Sequence, residues 1–471
     1  MKTLIACAAT LVASVAFGAA PRNVILFIGD GMSVPQRMVA EEFSRKIGKG
    51  SLAMNAMPCS AMTRSCSADS LVTDSAAAAT AIACGSKTKN HYSGVDPEGK
   101  PLESCASVAK RAGKKVGICS TVTITHATPA GFYAHRSNRG DAYGISLDLV
   151  RSGFDFFAGG GLDVSDAVSK KHAEYAAHGD PYAYARQNGY RPVKTRAEFL
   201  ALKPGCGKIL THFTNGPLET AIDLTPETDQ PTVAELTAKA IEILDNERGF
   251  FLMVEGGRID WAGHANDAAT NLRDVLALDE AVKIALDFRK KSPDTLVVVT
   301  GDHETGGMSM GFADTGYALF VDRLANQKMS VDRFETRVRD RFKKGIPAFD
   351  DLKPLLREAF GFRFAGEDGL KPDDPMVLTS AERKTLEDAF DHDLAFHRHK
   401  IGENAAYDGE KRYLFGGACR LVLSHKCGIG WSSGAHTAMP VLTTAVGPCA
   451  EQFSGYIENT DIAKKIKAFY R

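Results

Sequence analysis

The stretch NVILFIG at residues 23–29 indicates the fold class, because its apolar run from Val24 to Gly29 is unbroken and leads directly into the polar turn DGMS at 30–33. Such a run without alternation is typical of a strand buried on both faces, as in a parallel sheet. Similar runs recur at 115–121, 250–254, 295–300 and, more weakly, 441–446. Helical patterns lie between them at 101–113, 231–248 and 267–291. This alternation predicts an α/β fold with a large, mostly parallel central sheet flanked by helices.

The composition is that of an ordinary globular protein. The 471 residues include 57 Lys plus Arg and 57 Asp plus Glu, so the formal net charge is zero. Without a net positive charge, nucleic-acid-specific binding is not expected. Inside the chain no apolar run reaches the ~18 residues typical of a membrane helix, so we expect no stable membrane anchor.

Two regions interrupt the alternation of strands and helices. Residues 163–215 and 306–435 are richer in charged and turn-forming residues than the rest of the chain. We interpret them as insertions of loops and helices into one domain that spans residues 21–471.

Residues 1–20 form a separate segment. Lys2 precedes an apolar run of small residues that ends in AFGAA, the pattern of a cleavable signal peptide. We therefore expect export to the periplasm or the exterior, with loss of this segment. In such an oxidising compartment the close spacings make Cys59/Cys66 and Cys419/Cys427 candidate disulfide pairs, although spacing alone leaves the connectivity open.

Each of the four clear apolar runs leads to side chains that bind metals or carry protons. They are Asp30 after the first run, Thr128 after the second, Glu255, Asp260 and His264 after the third, and Asp302 and His303 after the fourth. Because ligands bind beyond the carboxyl ends of parallel strands, we expect these side chains to converge at one edge of the sheet. Imidazole with carboxylate suits zinc, whereas carboxylate with hydroxyl oxygen suits magnesium. Two neighbouring divalent ions would suit phosphoryl transfer.

A nucleophile is also visible in the sequence. Ser75 precedes a run of alanines, so it lies at or near the N-terminus of a helix, where partial positive charge favours an alkoxide or a bound phosphate. Read alone, Ser75 or its neighbours Thr73 and Asp74 would more simply be a helix cap. For a phosphate-binding cation, the sequence offers Arg136 and Arg139, and their spacing does not choose between them.

Taken together, the motifs resemble those of the alkaline phosphatases. The matching stretches are VILFIGDGM (24–32), TDSAAAATA (73–81), THATPAGFYAHRSNR (125–139), VEGGRIDWAGH (254–264), VVTGDHETGG (298–307) and SGAHTAMPV (433–441). They follow the family's order along nearly the whole chain after residue 20. The resemblance implies the family's α/β sandwich fold, hydrolysis of phosphate monoesters, two zinc ions with one magnesium ion, and a homodimer.

The resemblance also assigns roles to residues. It makes Ser75 the serine that becomes phosphorylated and Arg139 the phosphate-binding arginine. The implied ligands are Asp260, His264 and His436 for one zinc, Asp30, Asp302, His303 and Ser75 for the other, and Asp30, Thr128 and Glu255 for magnesium. His126 and Trp261 stand where the best-known enterobacterial form has aspartate and lysine. We expect both to lie just outside the ligands, where they would alter magnesium affinity and product release.

Two other readings stay open at this point. A phosphodiesterase or sulfatase of the same superfamily would share the metal ligands, but Ser75 lacks the C/S-x-P-x-R context usual in sulfatases. An exported metal- or phosphate-binding protein without turnover would need no nucleophile at a helix N-terminus.

Overall fold

A computed structural model of the protein describes residues 19–345, 347–367, 369–371, 373–401 and 414–470. The predicted signal segment therefore lies almost entirely outside the described residues. No described helix is both long enough and apolar enough to cross a bilayer.

Five of the described strands correspond to the five apolar runs of the sequence, and the others were not predicted. The described strands are β1 (Asn23–Gly29), β2 (Cys59–Arg64), β3 (Lys115–Thr123), β4 (Phe156–Gly160), β5 (Tyr190–Val193), β6 (Lys208–Thr211), β7 (Phe250–Gly256), β8 (Thr295–Gly301), β9 (Glu304–Thr305), β10 (Met308–Met310), β11 (Ile429–Trp431), β12 (His436–Thr437), β13 (Val441–Val446) and β14 (Gly455–Glu458).

The helices fill the intervals between strands and most of the later region. They are α1 (Val34–Lys46), α2 (Ser75–Cys84), α3 (Cys105–Arg111), α4 (Ala127–Ala130), α5 (Ala142–Ser152), α6 (Asp166–Ser169), α7 (Tyr175–His178), α8 (Pro181–Gln187), α9 (Arg196–Leu200), α10 (Val233–Leu244), α11 (Arg258–His264), α12 (Ala268–Lys291), α13 (Val331–Lys344), α14 (Lys353–Phe360), α15 (Ser380–Ile401), α16 (Leu414–Cys427) and α17 (Asn459–Ala468). Short 3-10 helices occur at Ala53–Asn55, Ala313–Thr315, Val321–Asn326, Phe349–Leu352 and Ala450–Phe453.

Within the described residues, ten strands form one sheet in the order β14-β2-β13-β8-β1-β7-β3-β4-β6-β5. All neighbouring pairs are parallel except those that involve β13, which runs antiparallel to β8 and β2. The prediction of a mostly parallel α/β sheet is thus confirmed. The region 163–215, interpreted as an insertion, contributes β5 and β6 to one edge of this sheet.

The sheet separates two hydrophobic cores, because side chains alternate along each strand. From β1, Ile25 and Phe27 enter the core under α1, α10 and α12, whereas Val24, Leu26 and Ile28 enter the core under α2, α3, α5 and α17. Helices therefore cover both faces, as the runs of buried β1 residues require.

Both candidate disulfide pairs are wrong, because Cys59, Cys66, Cys419 and Cys427 form no disulfide in the structure. Cys419 and Cys427 lie on the same helix, α16, where eight residues separate them by ~12 Å along the axis. Cys59 begins the extended strand β2 and Cys66 follows its end, so they lie further apart than a disulfide can span. The short spacings in the sequence do not reveal this geometry.

Candidate active site

The predicted site residues meet at the carboxyl ends of four neighbouring strands. These strands, β8, β1, β7 and β3, form the middle of the sheet in that order. Gly29 at the end of β1 is in register with Gly301 of β8, so Asp30 and Asp302 emerge side by side. Their adjacency explains why residues far apart in sequence form one site.

Cluster 1 consists of Asp30, Asp302 and His303, all fully buried. His303 Nε2 lies 3.3 Å from Asp30 Oδ1 and 3.3 Å from Asp302 Oδ2. The other oxygen of Asp302, Oδ1, accepts hydrogen bonds from the Gly31 N–H and the His303 N–H, at 3.0 and 2.9 Å. These backbone bonds hold the carboxylate so that Oδ2 faces the cluster.

Cluster 2 consists of Asp260, His264 and His436. Asp260 and His264 share one face of α11, whereas His436 arrives on β12. His264 Nε2 lies 3.1 Å from His436 Nε2 and 3.4 Å from Asp260 Oδ2. The Nδ1 atoms of the two histidines lie 2.8 Å from the Gly434 and Thr73 carbonyl oxygens, which leaves each Nε2 directed at the cluster.

Cluster 3 consists of Asp30, Glu255 and His126, and it shares Asp30 with cluster 1. Thr128 Oγ1 adds a hydroxyl 3.4 Å from Asp30 Oδ2. Ser120 donates a short hydrogen bond to Glu255 Oε2. His126 is thus close enough to Asp30 and Glu255 to share one ion with them, nearer the metal ligands than the sequence indicated.

Ser75 begins α2 and is buried beside cluster 1. Its Oγ lies 3.2 Å from His303 Nε2 and 3.5 Å from Asp30 Oδ1. The helix cap is Asp74, whose Oδ1 accepts from the Ala77 N–H at 3.0 Å. Asp74 therefore caps the helix, and the Ser75 hydroxyl is directed to cluster 1.

Arg139, rather than Arg136, lies at this site. Arg139 Nη1 donates to Asp74 Oδ2 at 2.9 Å, and Nη2 lies 3.3 Å from His126 Nε2. Arg136 instead donates to both carboxylate oxygens of Asp148 at 2.8 Å and to Glu174. Its guanidinium is thus already paired away from Ser75.

The pKa shifts of the buried site residues indicate that bound cations would stabilise their ionised carboxylates. Burial, together with the nearby carboxylates of Asp302 and Asp260, raises the pKa of Asp30 well above its usual range. Burial likewise raises the pKa of Glu255 and lowers the pKa of His126 to about 3, which keeps that imidazole neutral. Like charges buried together disfavour their ionised forms unless positive charge lies between them.

Two orphaned atoms give an independent sign that the residues fit metal ions. The buried Glu255 Oε1 and His126 Nδ1 have no hydrogen-bond partner among the described residues. Buried polar atoms without partners are rare in folded proteins, and a coordinated ion would satisfy both. Within each of the three clusters, the ligand atoms lie within 4.8 Å of one another. They are the oxygen and nitrogen donors that zinc and magnesium use.

Several supporting residues carry no signal in the sequence that would identify them. Thr305 Oγ1 donates to Asp260 Oδ1 at 2.5 Å and lies 3.3 Å from His303 Nδ1, so it connects clusters 1 and 2. Glu304 accepts hydrogen bonds from the Thr437 hydroxyl, the Gly307 N–H and Gln36 Nε2. His436 was accessible only through family resemblance, because it lies on a two-residue strand.

Trp261 occupies the position outside the clusters that the sequence predicts for it. Its ring lies edge-on to the His126 ring, with centroids 6.0 Å apart, and the Arg258 guanidinium lies 4.7 Å from its centroid. Trp261 thus places an aromatic ring, and not a charge, beside His126.

Comparison with known proteins agrees with this geometry. The sequence profile described as alkaline phosphatase matches residues 21–471. The chain is 32% identical to alkaline phosphatase 3 of Bacillus subtilis over 458 residues, which cover 94% of this chain and 88% of the relative. Its structure is similar to that of a cold-active alkaline phosphatase from a psychrophilic Shewanella sp., with a TM-score of 0.76, 28% identity, and 95% and 100% of the two chains covered. It is also similar to a histidine-to-aspartate mutant of TAB5 alkaline phosphatase with Mg bound in its M3 site, with a TM-score of 0.64, 26% identity, and 96% and 99% covered.

Proposed function

Because this chain belongs to the alkaline phosphatase family and is a phosphatase that acts on phosphate monoesters, we propose that Ser75 is the nucleophile and becomes phosphorylated in each turnover. The observation that carries the proposal is the position of Ser75 Oγ at a helix N-terminus, 3.2 Å from His303 and 3.5 Å from Asp30. Positive charge around this hydroxyl would lower its pKa and favour the alkoxide.

Arg139 holds the phosphoryl group of the substrate. Its planar guanidinium can donate two parallel hydrogen bonds to phosphate oxygens. Asp74 orients this guanidinium from the side, and the N-terminal N–H groups of α2 add further donors. Stabilising the charge on the equatorial oxygens in this way accounts for much of the rate enhancement in phosphoryl transfer.

The reaction proceeds in two steps at phosphorus. In the first, Ser75 Oγ attacks in line, the Oγ–P bond forms, the ester P–O bond breaks, and the leaving alcohol takes up a proton. In the second, water attacks the phosphoserine, the P–Oγ bond breaks, and inorganic phosphate leaves while Ser75 regains its proton. Phosphodiesters and sulfate esters would fit this site less well than monoesters.

We assign two zinc ions and one magnesium ion to the three clusters. Cluster 2 would hold one zinc, and cluster 1 with Ser75 the other. Asp30, Glu255 and Thr128 would hold magnesium, and His126 would add an imidazole that magnesium does not favour. When bound, these ions neutralise charge on the attacking and leaving oxygens and lower the pKa of hydroxyl groups and water.

Substitution of Ser75 tests the nucleophile. Ser75→Ala should lower phosphate release from phenyl phosphate about a thousandfold or more and should abolish phosphoprotein trapped by acid quenching. Ser309→Ala, a change at an exposed serine, is the control and should retain both signals. Undiminished covalent phosphate in Ser75→Ala would refute the assignment. Thorough chelation should abolish activity, and zinc with magnesium should restore it.

We also propose that the protein is exported to the periplasm or secreted, and that it functions as a homodimer. The pattern of residues 1–20 supports export, and family resemblance supports the dimer. Mass determination of the N-terminus of protein isolated outside the cytoplasm tests the first. Light scattering of the zinc-loaded protein tests the second, and a monomer at micromolar concentration would contradict it.

A further inference from the structure

A cavity lies directly beside cluster 2. It has a volume of about 450 Å³ and lies between the core helix α11 and two later helices, α13 and α16. Trp261 and His264 line it from α11, Asp332 and Glu335 from α13, and Arg420 from α16. Because His264 belongs both to cluster 2 and to the cavity wall, the cavity adjoins cluster 2.

Two carboxyl groups of α13 line the cavity, those of the exposed Asp332 and the half-buried Glu335. Burial, with Asp332 nearby, raises the pKa of Glu335 to about 8, so at neutral pH this carboxyl can both donate and accept a hydrogen bond.

Arg420 has a different role in the cavity. Its Nε donates a short hydrogen bond to the Ala265 carbonyl, and Nη1 donates to the Gly417 carbonyl at 2.8 Å. These bonds attach α16 to the chain just after His264. The carboxyl groups of α13 are thus the cavity groups that remain available to a bound molecule.

The charges in the cavity favour a neutral polar occupant. Arg420 and the carboxyl groups of Asp332 and Glu335 line the cavity together, so its wall does not carry charge of one sign only. An ammonium group would be repelled by Arg420 and by the cation proposed for cluster 2, whereas a second phosphate would be repelled by the carboxylate of Asp332. A sugar ring suits both the aromatic and the polar parts of the wall. Its apolar C–H face can lie on Trp261, while its hydroxyls form hydrogen bonds with the carboxyl groups.

We propose that this cavity binds the leaving alcohol of the substrate and favours phosphate monoesters of sugars. The inference rests on the proposed function, since it places the phosphoryl group between Ser75 and Arg139 and the ester oxygen toward cluster 2. Asp332 and Glu335 are then specificity-determining residues, which act on the alcohol and not on phosphorus.

The test compares glucose 6-phosphate, phosphoethanolamine and phenyl phosphate as substrates of the zinc- and magnesium-loaded enzyme. The variants are Asp332→Leu, Glu335→Leu and the double variant, which replace the hydrogen-bonding carboxyl groups with apolar side chains. Asp340→Leu, an exposed change on the same helix, is the matched control. Thermal unfolding of each variant establishes that it is folded.

In the double variant we expect the ratio of kcat/KM for glucose 6-phosphate to kcat/KM for phenyl phosphate to fall about tenfold, mainly through KM. Asp340→Leu should leave the ratio unchanged. An unchanged ratio in both folded single variants would overturn the inference while phenyl phosphate hydrolysis still upholds the proposed function. A selective loss of phosphoethanolamine turnover would overturn the assignment to sugars. Failure of the wild-type enzyme to hydrolyse any of the three esters would instead refute the proposed function.

Discussion

Asp74 supports two parts of the site with one side chain. Its Oδ1 caps α2 behind Ser75, and its Oδ2 holds the Arg139 guanidinium. Asp74→Asn keeps an oxygen for the cap but removes the charge that orients Arg139. We expect inorganic phosphate to inhibit this variant about fivefold to tenfold more weakly, because a charge-assisted bond that orients Arg139 is lost. Inhibition of phenyl phosphate hydrolysis by phosphate measures the change, and an unaltered inhibition constant would show that Arg139 needs no such support.

His126 is the residue that most affects the identity of the third ion. Its ring lies with Asp30 and Glu255, where an oxygen donor would suit magnesium better than nitrogen does. We expect His126→Asp to increase the affinity for magnesium about tenfold or more. Titration of the zinc-loaded apoenzyme with magnesium, followed by activity, measures this affinity. Equal midpoints for the variant and the wild type would place His126 outside the magnesium ligands.

Among the secondary-structure elements, the paired short strands β9 and β12 position His436. Glu304 on β9 accepts from the Thr437 hydroxyl on β12, next to His436. Glu304→Gln weakens this connection, and we expect zinc affinity at cluster 2 to fall about tenfold, as is usual when support of a ligand is lost. Glu280→Gln, on the exposed side of α12, is the control. Zinc retained after dialysis against a weak chelator gives the result, and equal retention in both variants would argue against this role.

The long helix α12 contains a carboxyl group that should make stability depend on pH. Burial raises the pKa of Asp274 to about 7, whereas in the unfolded chain it is ~4. Because the raised pKa favours the protonated form in the folded state, Asp274 costs stability as the pH rises from ~4 to about 7. Asp274→Asn keeps an acceptor for the Ala221 N–H but cannot ionise.

We therefore expect the stability of Asp274→Asn relative to wild type to increase by about 1–3 kcal/mol between pH 5 and pH 8. Urea unfolding of both proteins at the two pH values provides the measurement. A constant difference between the two proteins would mean that Asp274 ionises normally in the fold.

At the scale of the whole molecule, the buried strands are the features that the sequence predicts best. Most residues of β1, β3, β7 and β8 are buried, because helices cover both faces of the sheet. The polar residues that follow them, Asp30 and Asp302 among them, can therefore be assigned to one edge of the sheet from sequence patterns. The α/β fold and the convergence of the ligands follow from these four strands.

Other features depend on long-range packing that local patterns do not record. Strands β5 and β6 are four residues each and lie in a region whose charge and turns suggested an insertion. The antiparallel direction of β13 is set by its neighbours β2 and β8. The close approach of His126 to Asp30, and the cavity beside His264, exist only after distant segments are brought together.

Anomalous X-ray diffraction at the zinc edge, on crystals of the zinc- and magnesium-loaded enzyme, would locate the zinc ions relative to Ser75. We predict two zinc peaks about 3.5–4 Å apart, one against Asp260, His264 and His436 and the other against Asp30, Asp302, His303 and the Ser75 hydroxyl. Peaks at other positions, or a second zinc with Ser75 outside bonding distance, would contradict it.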